Sequence, residues 1–303
     1  MAEARQWGGT TFGNELMHRW LIKLLRVVDT RLIYLFTYVF IVPPTLFSPG
    51  FGHAYRFFRE RFGYSKLHSL TMAFKNHCMF SQVVIDRFAM YAGRKFKIEF
   101  EGYDHFLDLT SKPDGFVQLS SHVGNYEIAG YSLVAEAKRF NALVFFGEKQ
   151  EVMDNRTKLF THTNIHMIPI KSDMSHLFEI NNALSNGETV SIPADRIWGS
   201  QKYVVKNVLG RDAYLPKGPF QVVAMRGVDV LAVHVVKTAS KRYKIIVKPL
   251  PYDKEAPRKQ QIDEIAQRYV DELERIVRLY PTQWYNYFDF WAQHRDEKEQ
   301  DGN

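Results

Sequence analysis

Read for its hydrophobic rhythm, the chain changes character near residue 95. Before that point apolar positions recur with helical spacing. Leu16, Trp20, Leu21, Leu24, Leu25, Val27 and Val28 alternate with His18, Arg19, Lys23 and Arg26, and an uncharged run follows from residue 32 to 47. Residues 51–91 continue the pattern, with Phe57, Phe58, Phe62, Leu67, Leu70, Phe74, Phe80, Val83 and Phe88 set among Arg56, Arg59, Arg61, Lys66, Lys75 and Arg87. Gly63 and Gly93 are expected breaks. After residue 95 short strand-like runs alternate with single helical stretches. Strands are expected at 95–102, 116–119, 141–146, 165–170, 189–192 and 203–209, and helices at 103–109, 126–137, 151–161 and 174–185. The helix at 174–185 is capped by Ser172 or Asp173, and 210–219 reads as a loop. A short helix at 220–226 opens near Pro219, strands at 228–237 and 243–247 form an edge hairpin, and an amphipathic helix covers 263–280. This order predicts an α/β fold with a mostly parallel sheet flanked by helices, in which functional groups gather at the carboxyl ends of strands.

Four segments result: a disordered start at 1–14, a helical arm at 15–94, an α/β domain at 95–292 and a charged tail at 293–303. The arm is expected to meet a membrane. A spanning helix needs about 20 apolar residues, and the run at 32–47 is shorter and broken by Pro43-Pro44. Arg19, Lys23, Arg26 and Arg31 beside Trp20, Tyr34 and Tyr38 fit an anchor in the cytoplasmic interface. The alternative is an amphipathic helix packed on the domain's own core.

Composition narrows the partners. The 303 residues carry 40 Lys and Arg against 33 Asp and Glu, a formal charge of +7. That suits anionic headgroups, an acidic carrier protein or nucleic acid, and no nucleic-acid motif is present. The single cysteine, Cys78, excludes an internal disulfide, and no zinc-ligand spacing occurs, so no metal site is expected. No signal-peptide pattern opens the chain.

The candidate chemistry lies where the apolar run 116–119 meets the helical stretch beyond it, in Ser121-His122-Val123-Gly124-Asn125-Tyr126-Glu127. On a continuous helix, positions five apart differ by about 140° and do not face each other. Gly124 permits positive φ and Asn125 is a good N-cap, so this turn can fold His122 back towards Glu127. A histidine accepts a proton near neutral pH, and a carboxylate on its other nitrogen fixes the tautomer. The competing account is a capped helix whose His122 and Glu127 are ordinary surface polar groups. Further along, Asp195 and Arg196 follow the strand at 189–192 and are expected on the same sheet edge as His122, either in the site or as a surface ion pair.

This motif resembles the H-x-x-x-x-[DE] signature of glycerolipid acyltransferases. In its H-[FV]-G-N-[WY]-E form it resembles the bacterial lipid A biosynthesis (lauroyl/myristoyl) acyltransferase family. Asp195 is similar to that family's acidic residue after a strand, Leu215-Pro-Lys-Gly-Pro-Phe220 to its substrate-proximal turn, and Pro281-Thr-Gln-Trp284 to its closing signature. The resemblance runs from about residue 97 to 290. It implies transfer of a fatty acyl chain from acyl carrier protein, or coenzyme A, to a hydroxyl of a lipid acceptor at the cytoplasmic face of the inner membrane. His122 would be the general base and Glu127 its orienter, with the thioester as co-substrate and no cofactor. Asp195, Arg196, Gly124 and Asn125 would serve the substrates, as would a basic residue for which Arg156 and Lys171 are the candidates. Lipid A precursor is the family's usual acceptor; an aminolipid, a glycolipid or a pigment or polyene headgroup needs the same base. The alternative reaction is ester hydrolysis by Ser121 with His122, disfavoured because neighbouring side chains on an extended chain point apart and no Gly-x-Ser-x-Gly elbow occurs.

Overall fold

A computed structural model describes residues 15–133, 138–145, 164–171, 173–197 and 202–291. The expected helix at 151–161, Arg156, the expected cap Ser172, the first 14 residues and the tail lie outside them.

The arm is helical throughout: α1 (Glu15–Val27), α2 (Thr30–Phe36), a π-helical turn (Thr37–Ile41), α3 (Val42–Thr45), α4 (Pro49–Arg61) and α5 (Lys66–Tyr91). Side chains begin three of these. Asp29 caps α2, Ser48 caps α4 and Ser65 caps α5, each oxygen accepting a backbone N–H one turn in. Gly63 and Gly93 end α4 and α5 with positive φ, as their positions predict. Arg94 donates to the carbonyls of Leu25, Arg26 and Val28, satisfying the open end of α1.

The sheet follows the alternation. Its strands are β1 (Lys97–Glu101), β2 (Phe116–Gly124), β3 (Phe140–Phe145), β4 (Ile165–Ile170), β5 (Thr189–Pro193), β8 (Asp229–Ala239) and β9 (Arg242–Pro249). Their spatial order is β1-β9-β8-β2-β5-β3-β4, and only the β8–β9 pair is antiparallel. The hairpin expected at the edge is therefore interior: β1 adds in parallel outside β9, and β8 lies against β2. The stretch expected as a loop is also strand. β6 (Tyr203–Val208) and β7 (Arg211–Pro216) form a separate antiparallel pair around Leu209-Gly210, both at positive φ. A leucine in that conformation hides the usual hairpin signal.

Helices cover both faces. On one face α10 (Arg258–Leu279) lays Ile265, Ala266, Tyr269 and Leu273 against Val117, Leu119, Val190 and Ile192, joined by Val223 of α9 (Lys217–Arg226) and Ile180 of α8 (His176–Ser185). The other face packs Phe106 and Leu109 of α6 (Tyr103–Ser111) and Ile128 of α7 (Glu127–Ser132) against Phe116, Leu231, Val233 and Val235. Alternate residues of β8 thus enter opposite cores, as a strand buried on both faces requires. The helix expected at 220–226 begins earlier, at Lys217, and Pro219 lies within its first turn.

The arm shares this core through Phe51, Ala54, Phe57, Phe58 and Ala73. Its first two helices form a satellite in which Ile22, Leu25 and Tyr34 meet Ile85, Phe88 and Ala89 of α5. Tyr34 and Tyr243 donate to the buried carboxylate of Asp86, which Lys237 pairs. Trp20 of α1, Phe36 of α2, Phe40 of the π-helical turn and Phe47 just after α3 are all more than half exposed. Among the described residues no single helix is long and apolar enough to cross a membrane; Thr30–Thr45 and Pro49–Arg61 reach that threshold only as a pair bent by 93°.

Candidate active site

β2 is the fourth strand of seven and carries the site. It pairs regularly with β8 as far as Ser120, opposite Val233, and resumes at Gly124, opposite Val235. Ser121, His122 and Val123 therefore face the single residue His234, a bulge that lifts the strand out of the ladder. Gly124 closes it with φ of +62°, and a Cβ there would stand 1.9 Å from the Val235 carbonyl oxygen, so only glycine fits. His122 was expected just past the strand; it sits inside it, at the crest of this bulge.

Freed from β8, both peptide groups of His122 turn elsewhere. Its N–H donates to Asp195 Oδ2 at 2.9 Å, and its carbonyl accepts from the Tyr285 N–H at 3.4 Å. The imidazole Nδ1 meets Asp195 Oδ1 at 2.7 Å. A carboxylate at that distance assigns the proton to Nδ1 and leaves Nε2 with a lone pair. The aspartate is fully buried and the histidine side chain 20% exposed, so the pair has a covered anchor and a reachable base. The Trp284 indole donates to Asp195 Oδ2 at 3.2 Å. Burial pushes the Asp195 carboxyl up, but the facing imidazole and the Arg196 charge outweigh it and hold the group below the usual carboxylate range. Burial, and then Arg196, push the imidazole below its ordinary 6.5, against the pull of Asp195. At neutral pH the pair is a neutral imidazole on an ionised carboxylate.

The carboxylate on the His122 imidazole is thus Asp195, where the local motif pointed to Glu127. Glu127 starts α7, and its carboxylate forms an ion pair with Arg87, Nε to Oε1 at 3.2 Å, and accepts from the Tyr91 hydroxyl at 3.1 Å, both from α5. The turn folds differently from the expectation. Asn125 makes no side-chain cap for α7; its N–H bonds to the Val235 carbonyl and its side chain is buried. Since β5 lies beside β2, the residues after β5 reach His122, while the helix start five residues on is carried towards the arm.

Arg196 is brought to the same edge, as its strand position predicts. It donates to the Tyr285 carbonyl at 2.5 Å and its guanidinium lies 5.5 Å from the Phe288 ring centre. Lys171 is not brought there: it is exposed at the end of β4, the edge strand three places from β2.

The segment after α10 closes the site. Asn76 of α5 donates to the carbonyls of Thr282 and Trp284, the Gln283 side chain clasps both peptide groups of Lys237, and Val123 bridges to Trp284. Sequence reasoning marked Pro281-Thr-Gln-Trp284 without assigning the indole; a buried tryptophan's N–H needs an acceptor, and that need was the available signal. Ser121, weighed as a nucleophile with His122, is buried and bonded to His234 Nδ1 at 2.8 Å instead. Among the described residues no group of three or more His, Cys, Asp or Glu could hold a metal ion.

A histidine backed by a buried carboxylate thus stands at the carboxyl ends of parallel strands in a helix-flanked sheet. Residues 71–293 match the family model described as bacterial lipid A biosynthesis acyltransferase, and the chain belongs to that family. It is an acyltransferase. A comparison with curated proteins found no match.

Proposed function

We propose that this protein moves a fatty acyl chain from a thioester, on acyl carrier protein or coenzyme A, to a hydroxyl of a membrane lipid, with His122 as general base. The observation that carries the reading is the His122–Asp195 contact, in which the histidine is the less buried partner. The acceptor hydroxyl gives its proton to Nε2 as its oxygen bonds to the thioester carbonyl carbon. Asp195 balances the imidazolium that forms. The tetrahedral intermediate collapses by breaking the carbon–sulfur bond, and the imidazolium returns the proton to the departing thiolate. Arg196, whose charge already acts on His122, is the described cation suited to the developing oxyanion or to an anionic substrate group. Gly124 and Asn125 shape the bulge that carries the base, and Glu127 anchors the turn to α5.

The acceptor is a lipid A precursor or another lipid with a free hydroxyl, and the thioester is the co-substrate. The exposed apolar face of α1 and α2, beside Arg19, Lys23, Arg26 and Arg31, seats the enzyme on the cytoplasmic face of the inner membrane. In that position the site takes a water-soluble donor and a lipid-borne acceptor together.

Product analysis tests the reading. Purified protein is incubated with isotope-labelled acyl carrier protein thioester or acyl-coenzyme A and extracted membrane lipid, and the products are resolved by mass spectrometry. Label in a new lipid ester is the expected result, and comparison of the two donors names the thioester. Label released only as free fatty acid would contradict transfer and favour hydrolysis.

A further inference from the structure

β8 is an apolar strand, with Val230, Leu231, Ala232, Val233, Val235 and Val236 all buried. His234 interrupts that run, and it is the residue that faces the three-residue bulge of β2. A valine would suit the position by strand preference and burial alone, so a buried imidazole there needs a bond to offset its desolvation. That bond is to Ser121 Oγ at 2.8 Å, with Ser121 2% and His234 1% exposed.

The bulge has few other ties to β8. The peptide groups of His122 go to Asp195 and Tyr285, and Val123 bridges to Trp284. Ladder pairing returns only at Gly124. Among the described residues, the Ser121–His234 hydrogen bond is the side-chain link that pins the bulge to its neighbouring strand. Without it the extra residues can shift along the ladder, and His122, the next residue, moves with them.

We propose that His234, through Ser121, is a positioning residue that fixes where the His122 imidazole stands relative to the reacting atoms. This rests on the reading of His122 as the base. His234 takes no part in proton transfer itself. Burial pulls its pKa down to about 4, so it stays neutral under working conditions, and it is closed off from solvent. Ser121 is likewise too buried to act as a nucleophile.

The test compares Ser121→Ala, His234→Leu, their double variant, His234→Asn and His122→Ala in the full-length protein, with kcat, KM for each substrate and melting temperature measured on folded material. A displacement of the base near 1 Å lowers kcat on the order of 10- to 100-fold. That loss is expected in Ser121→Ala and His234→Leu, with KM within about twofold of wild type. The double variant should be no slower than the slower single one, because both remove one bond. His234→Asn, which keeps a polar group near the place of Nδ1, should recover most of the rate. A lowered melting temperature with unchanged kcat in Ser121→Ala would overturn the proposal, as that is the mark of a bond serving stability alone. If His234→Leu does not fold, Ser121→Ala decides the matter by itself. His122→Ala separates the two claims: if it keeps activity, the base assignment fails, and if it loses activity while Ser121→Ala stays at wild-type rate, only the positioning role fails.

Discussion

Trp284 and Asp195, 89 residues apart in the chain, meet through an indole N–H on carboxylate Oδ2 at 3.2 Å. The same oxygen takes the backbone N–H of His122, and its twin takes the imidazole. The closing segment of the chain therefore holds the carboxylate that holds the His122 imidazole.

Trp284→Phe removes the N–H and keeps an aromatic ring against Phe57, Phe290 and Trp291. A hydrogen bond to a charged acceptor is worth about 1.5–3 kcal/mol. The variant should be less stable by about that amount, melt at a lower temperature and turn over more slowly, since Asp195 gains freedom to rotate away from Nδ1. Melting curves and kcat together check this.

The proposed mechanism needs His122 as the neutral imidazole, and its pKa lies below the ordinary 6.5. As pH falls, protonation removes the base, so the acid limb of kcat/KM should fall below pH 6.5. Arg196→Gln removes a positive charge that opposes protonation, and the limb should move up. Asp195→Asn removes the charge that favours protonation. The limb should then move down, with a large fall in the maximum rate. A pH–rate profile for each protein reads these directions.

Gly124→Ala places a methyl group 1.9 Å from the Val235 carbonyl oxygen at a residue with positive φ. The conformation alone costs on the order of 1–3 kcal/mol, and the contact adds to it. The variant is expected to be strongly destabilised, or to fold with a shifted bulge and no activity. Circular dichroism melting with an activity assay distinguishes it from Gly218→Ala, where a Cβ meets nothing within 4 Å.

Asp86 and Lys237 form a fully buried pair, with Tyr34 and Tyr243 donating to the same carboxylate. Burial pushes Asp86 up and Lys237 down against their mutual attraction. Breaking such a pair by Lys237→Met leaves an uncompensated buried carboxylate and costs about 3–5 kcal/mol. Adding Asp86→Leu should recover much of that loss, which denaturant titration of the two variants would show.

The sequence displays the fold where periodicity is local and the site where the chemistry is local. β4 falls at its expected residues, and β1, β3 and β5 fall within two residues of theirs, because each is a short apolar run between turn residues. His122, Asp195 and Arg196 stand out as polar groups after such runs. The pairing among them was not legible, because it depends on strand order. A motif of five-residue spacing points to Glu127 as the partner of His122; sheet order puts β5 beside β2 and brings Asp195 across 73 residues. The Ser121–His234 bond, across 113 residues, is of the same kind. β7 was missed because Leu209 occupies a turn conformation usually left to glycine or asparagine.

The most direct measurement of the central claim is the rate of ester formation by purified His122→Ala at saturating thioester and lipid acceptor, beside wild type of equal melting temperature. Loss of the base should lower kcat on the order of 10²- to 10⁴-fold. A His122→Ala protein that still transfers acyl chains within a few-fold of the wild-type rate would contradict the account.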